Sequence, residues 1–189
     1  MPRAGLSTDV VVAEAATLVD DVGPDRLTLA ALAKRFGVAL PSLYKHVRGL
    51  DDLHGRLSVV AARELADVLR RAATGTSGAD AVRAVATAYR DYARSHPGRY
   101  GYLVRARPDD PAYQAAAREV LDVLNGVFAS YGITGDDAVD AARFARSVLH
   151  GFVSLEAGGG FGLPRSVDRS FDRAVSALHD ALASWTASG

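Results

Sequence analysis

The stretch from residue 27 to residue 50, LTLAALAKRFGVALPSLYKHVRGL, restricts the possible folds of this chain more than any other stretch. Apolar residues recur at helical spacing from Leu29 to Phe36, which predicts a short helix with one apolar face. Thr28 stands just before this helix, where its hydroxyl can accept a hydrogen bond from an unpaired amide of the first turn. Gly37 follows the last periodic residue and can adopt the left-handed conformation that ends a helix.

A second short helix is predicted to begin near Pro41, because the first amides of a helix have no partner within it and proline lacks that amide. Leu43 and Val47 are spaced to give this helix a buried face. Polar and basic side chains occupy the other positions: Ser42, Tyr44, Lys45 and His46. Two short helices joined by a turn that contains glycine form a helix-turn-helix, whose second helix can enter the major groove of DNA.

Basic residues are concentrated in the same stretch. From Arg26 to Arg48 there are five basic residues and no acidic one: Arg26, Lys34, Arg35, Lys45 and Arg48. The formal net charge of the whole chain is 0, so an affinity for nucleic acid has to come from a local patch such as this one. A solvated helical hairpin has the same pattern, so charge and periodicity alone leave both interpretations open.

The composition narrows the class of protein. With 189 residues, of which 49% are hydrophobic and 23% charged, the chain is long enough for one or two globular domains. It contains no cysteine, which excludes disulfides, thiolate catalysis and cysteine metal sites. No apolar run approaches the roughly 18 residues that span a bilayer, and the N-terminus lacks the pattern of a signal peptide. We therefore expect a cytoplasmic protein without a membrane segment.

Apolar residues recur at helical spacing along the rest of the chain, and no strand-like alternation is sustained. The sequence predicts an all-α fold with about nine helices. A helix over residues 8–22 precedes the two short helices and completes an N-terminal three-helix head. We predict a helix-turn-helix DNA-binding domain at residues 1–50 and a helical ligand-binding and dimerisation domain at residues 51–189.

The last two predicted helices carry more apolar surface than one packing contact uses. In residues 136–157 the apolar band is too wide for a single neighbour, and in residues 168–186 apolar residues repeat at heptad-like spacing. Two copies of the chain would bury this surface in a four-helix contact. The predicted interface residues are Phe152, Phe171, Val175, Leu178, Leu182 and Trp185. The alternative is that the same faces close the core of a single chain.

From Leu27 to Leu53, the sequence resembles the helix-turn-helix signature of the TetR family of bacterial transcriptional regulators. The matching positions include Gly37, Val38, Leu43, Tyr44 and His46. The resemblance extends more weakly to the His-Gly-Phe sequence at residues 150–152, which is similar to one branch of TetR-type ligand domains.

The resemblance implies a homodimer that places its third helices in successive major grooves of a near-palindromic, double-stranded operator. It assigns DNA contacts to Thr28, Leu40, Pro41, Ser42, Tyr44, Lys45, His46 and Arg48. Family members often carry a phosphate-contacting lysine where this chain has Leu50, so that contact is not carried over. The resemblance also implies a repressor that an unknown small-molecule inducer releases from DNA by binding the C-terminal domain.

A ligand cavity needs apolar walls with a few polar groups, and several side chains beyond the head would supply them. The candidates are Tyr89, Tyr92, Tyr100, Phe128, Phe144 and His150. For any one of these residues, an ordinary place in the core is the simpler interpretation.

Little in the chain points to catalysis. The five histidines include no pair at i, i+4 spacing and no matching acidic cluster, so we predict no metal site, and we predict no cofactor. Most acidic pairs stand at predicted helix starts, where capping explains them. We predict that the protein is not an enzyme. The alternative is a helical small-molecule-binding protein or enzyme with no role at DNA.

Overall fold

The computed structural model describes residues 6–104, 107 and 109–185, and all regular secondary structure in these ranges is helical. This confirms the predicted all-α fold. The α-helices are α1 (Thr8–Val22), α2 (Leu29–Phe36), α3 (Leu50–Ala73), α4 (Gly78–Ser95), α5 (Pro97–Tyr100), α6 (Pro111–Ala129), α7 (Gly135–Ala157) and α8 (Val167–Ala183). Two short 3₁₀ helices, Pro24–Arg26 and Leu40–Lys45, stand before and after α2.

The chain forms two compact units. The first comprises Met1–Arg63 and His96–Ala117, and the second comprises Glu64–Ser95 and Arg118–Gly189. The divisions fall within α3 and α6 and between α4 and α5. The functional division after residue 50 stays a prediction, because compactness does not by itself assign a function to either unit.

The signals that delimit α2 act as the sequence predicts. Thr28 Oγ1 accepts a hydrogen bond from the Ala31 amide at 3.0 Å, which caps the first turn. Gly37 has a φ of 65° and lies in the left-handed region, while the Val38 amide donates to the Ala33 carbonyl at 3.1 Å. This pattern is the Schellman arrangement that ends helices.

A close contact between α5 and α1 was not predicted. A Cβ at position 98 would lie 1.9 Å from the Val19 carbonyl oxygen, so only glycine fits there. The Asp20 carboxylate accepts hydrogen bonds from the Arg99 amide at 2.9 Å and from Arg99 Nε at 2.7 Å. His96 Nδ1 lies 3.2 Å from the same carboxylate. These contacts tie the segment around Gly98 to α1 within the first unit.

In the second unit α4, α7 and α8 pack together, and the apolar seam of α8 faces inward. Four of the six predicted interface side chains are 2–4% exposed: Phe171, Val175, Leu178 and Leu182. Side chains with so little exposed surface have almost nothing left to bury against a second chain. The prediction that these four residues form a dimer interface is therefore wrong, and they belong to the core of their own chain.

The other two predicted interface residues, Phe152 and Trp185, are half-buried. The Phe152 ring centre lies 5.1 Å from that of Phe171, and the Trp185 ring centre lies 6.1 Å from that of Phe144. Such tilted ring pairs add to the packing of a core. A role for Phe152 and Trp185 in a dimer interface stays a prediction.

Candidate nucleic-acid interface

The predicted second helix of the helix-turn-helix is present as the 3₁₀ helix Leu40–Lys45. Its hydrogen bonds span three residues, as does the one from the Ser42 amide to the Ala39 carbonyl at 2.9 Å. Pro41 supplies no amide, and no side chain caps the start. The 3₁₀ helix is tighter than the α-helix, and proteins use it in short pieces and as a connector.

Two buried side chains anchor this segment. Leu43 is 0% exposed and Val47 is 2% exposed, and both belong to the core of the first unit. The Thr8 hydroxyl, at the start of α1, donates to the His46 carbonyl at 3.2 Å. These contacts decide which side of the segment faces outward.

The opposite side of the segment is open to solvent. Tyr44 is 55% exposed and Leu40 is 37% exposed, although both side chains are large. The other predicted contact residues in the segment are exposed or half-buried: Pro41, Ser42, Lys45 and His46. One short turn thus presents a cation, a phenol, an imidazole and apolar groups, which suit contacts with phosphates, base edges and thymine methyl groups.

Arg35, one of the five basic residues from Arg26 to Arg48, points towards α1. Its guanidinium pairs with Glu14 and lies 2.7 Å from the Asp21 carboxylate. The hydrogen bonds to Asp21 and Glu14 raise the pKa of Arg35 above its usual value. Because two carboxylates offset its charge, Arg35 joins α2 to α1 and contributes little to a DNA-binding surface.

Arg48 is held by Asp52, in the first turn of α3. The Asp52 carboxylate accepts hydrogen bonds from the Arg48 amide at 3.0 Å, the Arg48 guanidinium at 3.4 Å and Arg56 Nε at 3.1 Å. Burial raises the pKa of Asp52, but these hydrogen bonds outweigh it and leave the pKa below its ordinary value. The Arg48 side chain is still 89% exposed, so Asp52 orients this cation without covering it.

Arg56 is a further basic residue beside this surface and was not among the predicted contact residues. Its pairing with Asp52 follows the i, i+4 spacing of an α-helix, which is the signal that would have identified it. Arg26, Lys34 and Lys45 are exposed and form no ion pair with another residue that the structure describes. These three cations are available to phosphates.

Thr28 is exposed at the N-terminus of α2. Its oxygen accepts the Ala31 amide, and its hydroxyl proton can still be donated. A helix N-terminus carries partial positive charge, which favours a phosphate oxygen at this position.

The six residues predicted to line a ligand cavity do not form one wall. Tyr100 belongs to the first unit, whereas the other five belong to the second. Tyr92, Tyr100 and Phe128 are buried, and the Tyr92 hydroxyl donates to Glu64 at 3.0 Å. The remaining three are half-buried: Tyr89, Phe144 and His150.

The His150 side chain lies close to Ser154, one turn further along α7. Its ring nitrogens lie 3.3–3.4 Å from the Ser154 hydroxyl. Burial lowers the pKa of His150, and the positive charge of Arg146 lowers it further. A lower pKa favours the neutral imidazole, which can accept as well as donate a hydrogen bond.

Within the described ranges, no group of three or more histidine, aspartate or glutamate side chains is arranged to hold a metal ion. The helices in those ranges also include none that is both long and apolar enough to cross a membrane.

Comparisons with known proteins identify transcriptional regulators as relatives of this chain. Residues 82–178 match the family model described as "Tetracyclin repressor-like, C-terminal domain". The chain is 42% identical over 155 residues to the HTH-type transcriptional regulator Rv0681 of Mycobacterium tuberculosis, covering 81% of this chain and 71% of that protein. It is 32% identical to the HTH-type transcriptional regulator YobS of Bacillus subtilis, covering 82% of this chain and 81% of that protein.

A solved structure of a protein of unknown function from Rhodococcus sp. RHA1 is also similar. It superposes with a TM-score of 0.80 at 25% identity, covering 97% of this chain and 99% of the other. The likeness therefore extends over both units.

Proposed function

Since this chain belongs to the TetR family of transcriptional regulators, we propose that it is a repressor that binds a near-palindromic operator as a homodimer and is released by a small-molecule inducer. The observation that carries the proposal is the outward surface of residues 40–48. Leu43 and Val47 are buried there, while Tyr44 and Lys45 are exposed beside them. A segment anchored on one side and polar on the other can enter a groove without unfolding.

The proposed DNA contacts divide into two kinds. Thr28 and Arg48 contact phosphates, because one stands at a helix N-terminus and the other presents an exposed guanidinium. The 3₁₀ helix and the residue after it meet the base edges and the phosphates beside them through Leu40, Pro41, Ser42, Tyr44, Lys45 and His46. Phosphate contacts set the affinity and its salt dependence, while base contacts set the sequence preference.

The proposed dimer uses the outer face of α8, because the apolar seam on its inner face is already buried. Small residues repeat along this outer face at spacings of four, three, four and three: Ser170, Ala174, Ala177, Ala181 and Ser184. They are exposed or half-buried, and small side chains let two helices approach closely. A twofold pair formed in this way would present two DNA-binding segments to two half-sites.

The proposed inducer binds the second unit. It changes DNA affinity only if its own affinity differs between the DNA-binding and the released states of the protein. If the inducer lowers the affinity of the protein for operator DNA, then operator DNA must lower the affinity of the protein for the inducer by the same factor.

Selection of binding sequences from a random DNA pool tests the proposal without knowledge of the operator. We expect the recovered sequences to share two inverted half-sites about 10 base pairs apart, or a multiple of that spacing. Fluorescence anisotropy should then show tight binding that weakens steeply between about 50 and 200 mM salt. Recovery of no common sequence, or equal affinity for competitor DNA, would contradict the proposal.

A further inference from the structure

We propose that the second unit carries a binding site for a small organic cation with a short apolar body. The site is a cleft of about 440 Å³ formed by the end of α3, the start of α4 and the C-terminal half of α6. This volume lies within the range of small-molecule sites, roughly 300–1,000 Å³. None of the six residues predicted from the sequence to bind a ligand lines this cleft.

The charged lining residues are one cation, Arg70, and two anions, Glu119 and Asp122. The Arg70 guanidinium is already engaged, because it lies 2.5 Å from the Asp67 carboxylate and 3.9 Å from that of Glu119. Asp122 stands one turn after Glu119, is exposed and forms no ion pair with another described residue. Its carboxylate therefore carries the uncompensated charge of the lining, and this charge attracts a cation.

The backbone around the cleft also favours positive charge. α3 ends at the cleft and α6 ends beside it, and the C-terminus of a helix carries partial negative charge. The N-terminus of α4 has the opposite sign, but two of its amides are occupied. The Gly78 amide donates to Ser130 Oγ at 3.2 Å, and the Ala81 amide donates to the Ser77 carbonyl at 3.3 Å.

Part of the cleft lining is apolar, and the space beside one of its residues is open. The small and apolar residues of the lining are Ala73, Ala81, Val123, Gly126 and Val127. A Cβ added at Gly126 would have no atom within 4 Å, so a side chain at this position would occupy open space. Glycine is among the poorest residues for a helix interior. α6 thus has a weak helix former at the position where a side chain would fill the cleft.

The ligand class follows from the Asp122 carboxylate and the apolar part of the lining. An ammonium group pairs with the Asp122 carboxylate, and a short aliphatic body covers the apolar lining beside Gly126. All lining residues lie in the second unit, so binding can be measured without DNA and does not depend on the proposed repressor function.

Three probes with the same aliphatic chain separate charge from hydrophobicity: hexylamine, hexanoate and hexanol. The full chain is titrated with each, and the amide resonances of Gly78 and Gly126 are followed by NMR. Hexylamine should shift both resonances saturably, whereas hexanoate and hexanol at the same concentration should not. Absence of a saturable shift with hexylamine, or an equal response to hexanoate, overturns the proposal.

Two variants locate the site. Asp122→Asn should weaken hexylamine binding about five- to tenfold, since the charge-assisted pair is lost. Gly126→Leu should abolish the hexylamine shift at Gly78, because the new side chain occupies the space beside the apolar lining. It should also raise the melting temperature, which shows that the loss is not a folding defect.

Matched controls are Asp91→Asn, which removes an exposed acid of α4 outside the cleft, and Asn125→Leu, which adds the same side chain one position away. Both controls should bind hexylamine as the unmodified chain does. Binding that persists in Gly126→Leu, or that falls equally in Asp91→Asn and Asp122→Asn, would exclude the cleft as the site.

Discussion

Arg90 and Glu156 form a bidentate ion pair in the second unit, with Arg90 Nε 2.8 Å from Glu156 Oε2. The same guanidinium lies 2.8 Å from Asp168 Oδ1, and its central carbon lies 4.7 Å from the centre of the Phe171 ring. One cation thus joins α4 to α7 and α8. Because the Arg90 side chain is only 8% exposed, water and salt screen this pair weakly.

Replacing Glu156 by glutamine should destabilise the fold, because a buried guanidinium then loses its bidentate partner. We expect a loss of about 2 kcal/mol in the free energy of unfolding, below the value for a wholly unpaired buried charge since Asp168 remains. Urea unfolding followed by circular dichroism measures it. Asp172→Asn, which breaks an exposed pair with Arg83, should cost less than about 1 kcal/mol. Equal losses in the two variants would contradict the assignment.

The same ion pair should make stability depend on pH in acid. The hydrogen bonds from Arg90 lower the pKa of Glu156 below its ordinary value of 4.5. Such a carboxylate stabilises the fold above that value, and its contribution is lost as the pH falls through the lower pKa of the folded state. The stability difference between the unmodified chain and Glu156→Gln should therefore shrink below about pH 4.5. A difference that grows on acidification would refute this explanation.

Lys45→Ala should weaken operator binding about tenfold and lower the salt slope by about 1, because one phosphate contact is removed. Stability should change by less than about 0.5 kcal/mol, since the side chain is exposed. Anisotropy titrations at several salt concentrations give both quantities. Arg71→Ala, an exposed cation of the second unit, is the control and should leave binding unchanged. A large drop in the melting temperature of Lys45→Ala would mean that the side chain is structural.

Gly98→Ala should destabilise the first unit, because the new methyl group would overlap the Val19 carbonyl and push α5 away from α1. We expect a cost of about 2–3 kcal/mol, the upper range for forced overpacking. Gly126→Ala provides the matched comparison, since its methyl group enters open space in a helix and should stabilise by up to about 1 kcal/mol. Thermal unfolding of the two variants should therefore shift in opposite directions. Shifts of the same sign would argue against the close contact at Gly98.

Ala177→Glu should convert the proposed dimer into monomers, because a carboxylate and its longer side chain would prevent close approach along the outer face of α8. The position is exposed in the single chain, so the helix itself should remain folded. Sedimentation velocity reports the assembly state, and circular dichroism reports the fold. Thr87→Glu, at an exposed position of α4, should leave the assembly state unchanged. A dimer that survives Ala177→Glu would place the interface elsewhere.

The local structure from Thr28 to Val47 follows from the sequence alone. The Thr28 cap, the left-handed Gly37 and the buried spacing of Leu43 and Val47 all appear where the pattern predicts them. Each of these features depends on hydrogen bonds and periodicity among residues a few positions apart. Such information is contained in a short stretch of chain, whatever the rest of the protein does.

Which surfaces and charges remain available depends on contacts between segments that are distant in the sequence. The sequence pattern groups Arg35 with the cations that could face DNA. In the structure, Glu14 and Asp21 on α1 form ion pairs with Arg35 and offset its charge. The apolar seam of α8 predicts a dimer interface, but α4 and α7 cover this seam within the same chain. An apolar periodicity shows that one face of a helix is buried but not which neighbour buries it. That choice, like the close approach at Gly98 and the open space beside Gly126, arises only when distant segments pack together.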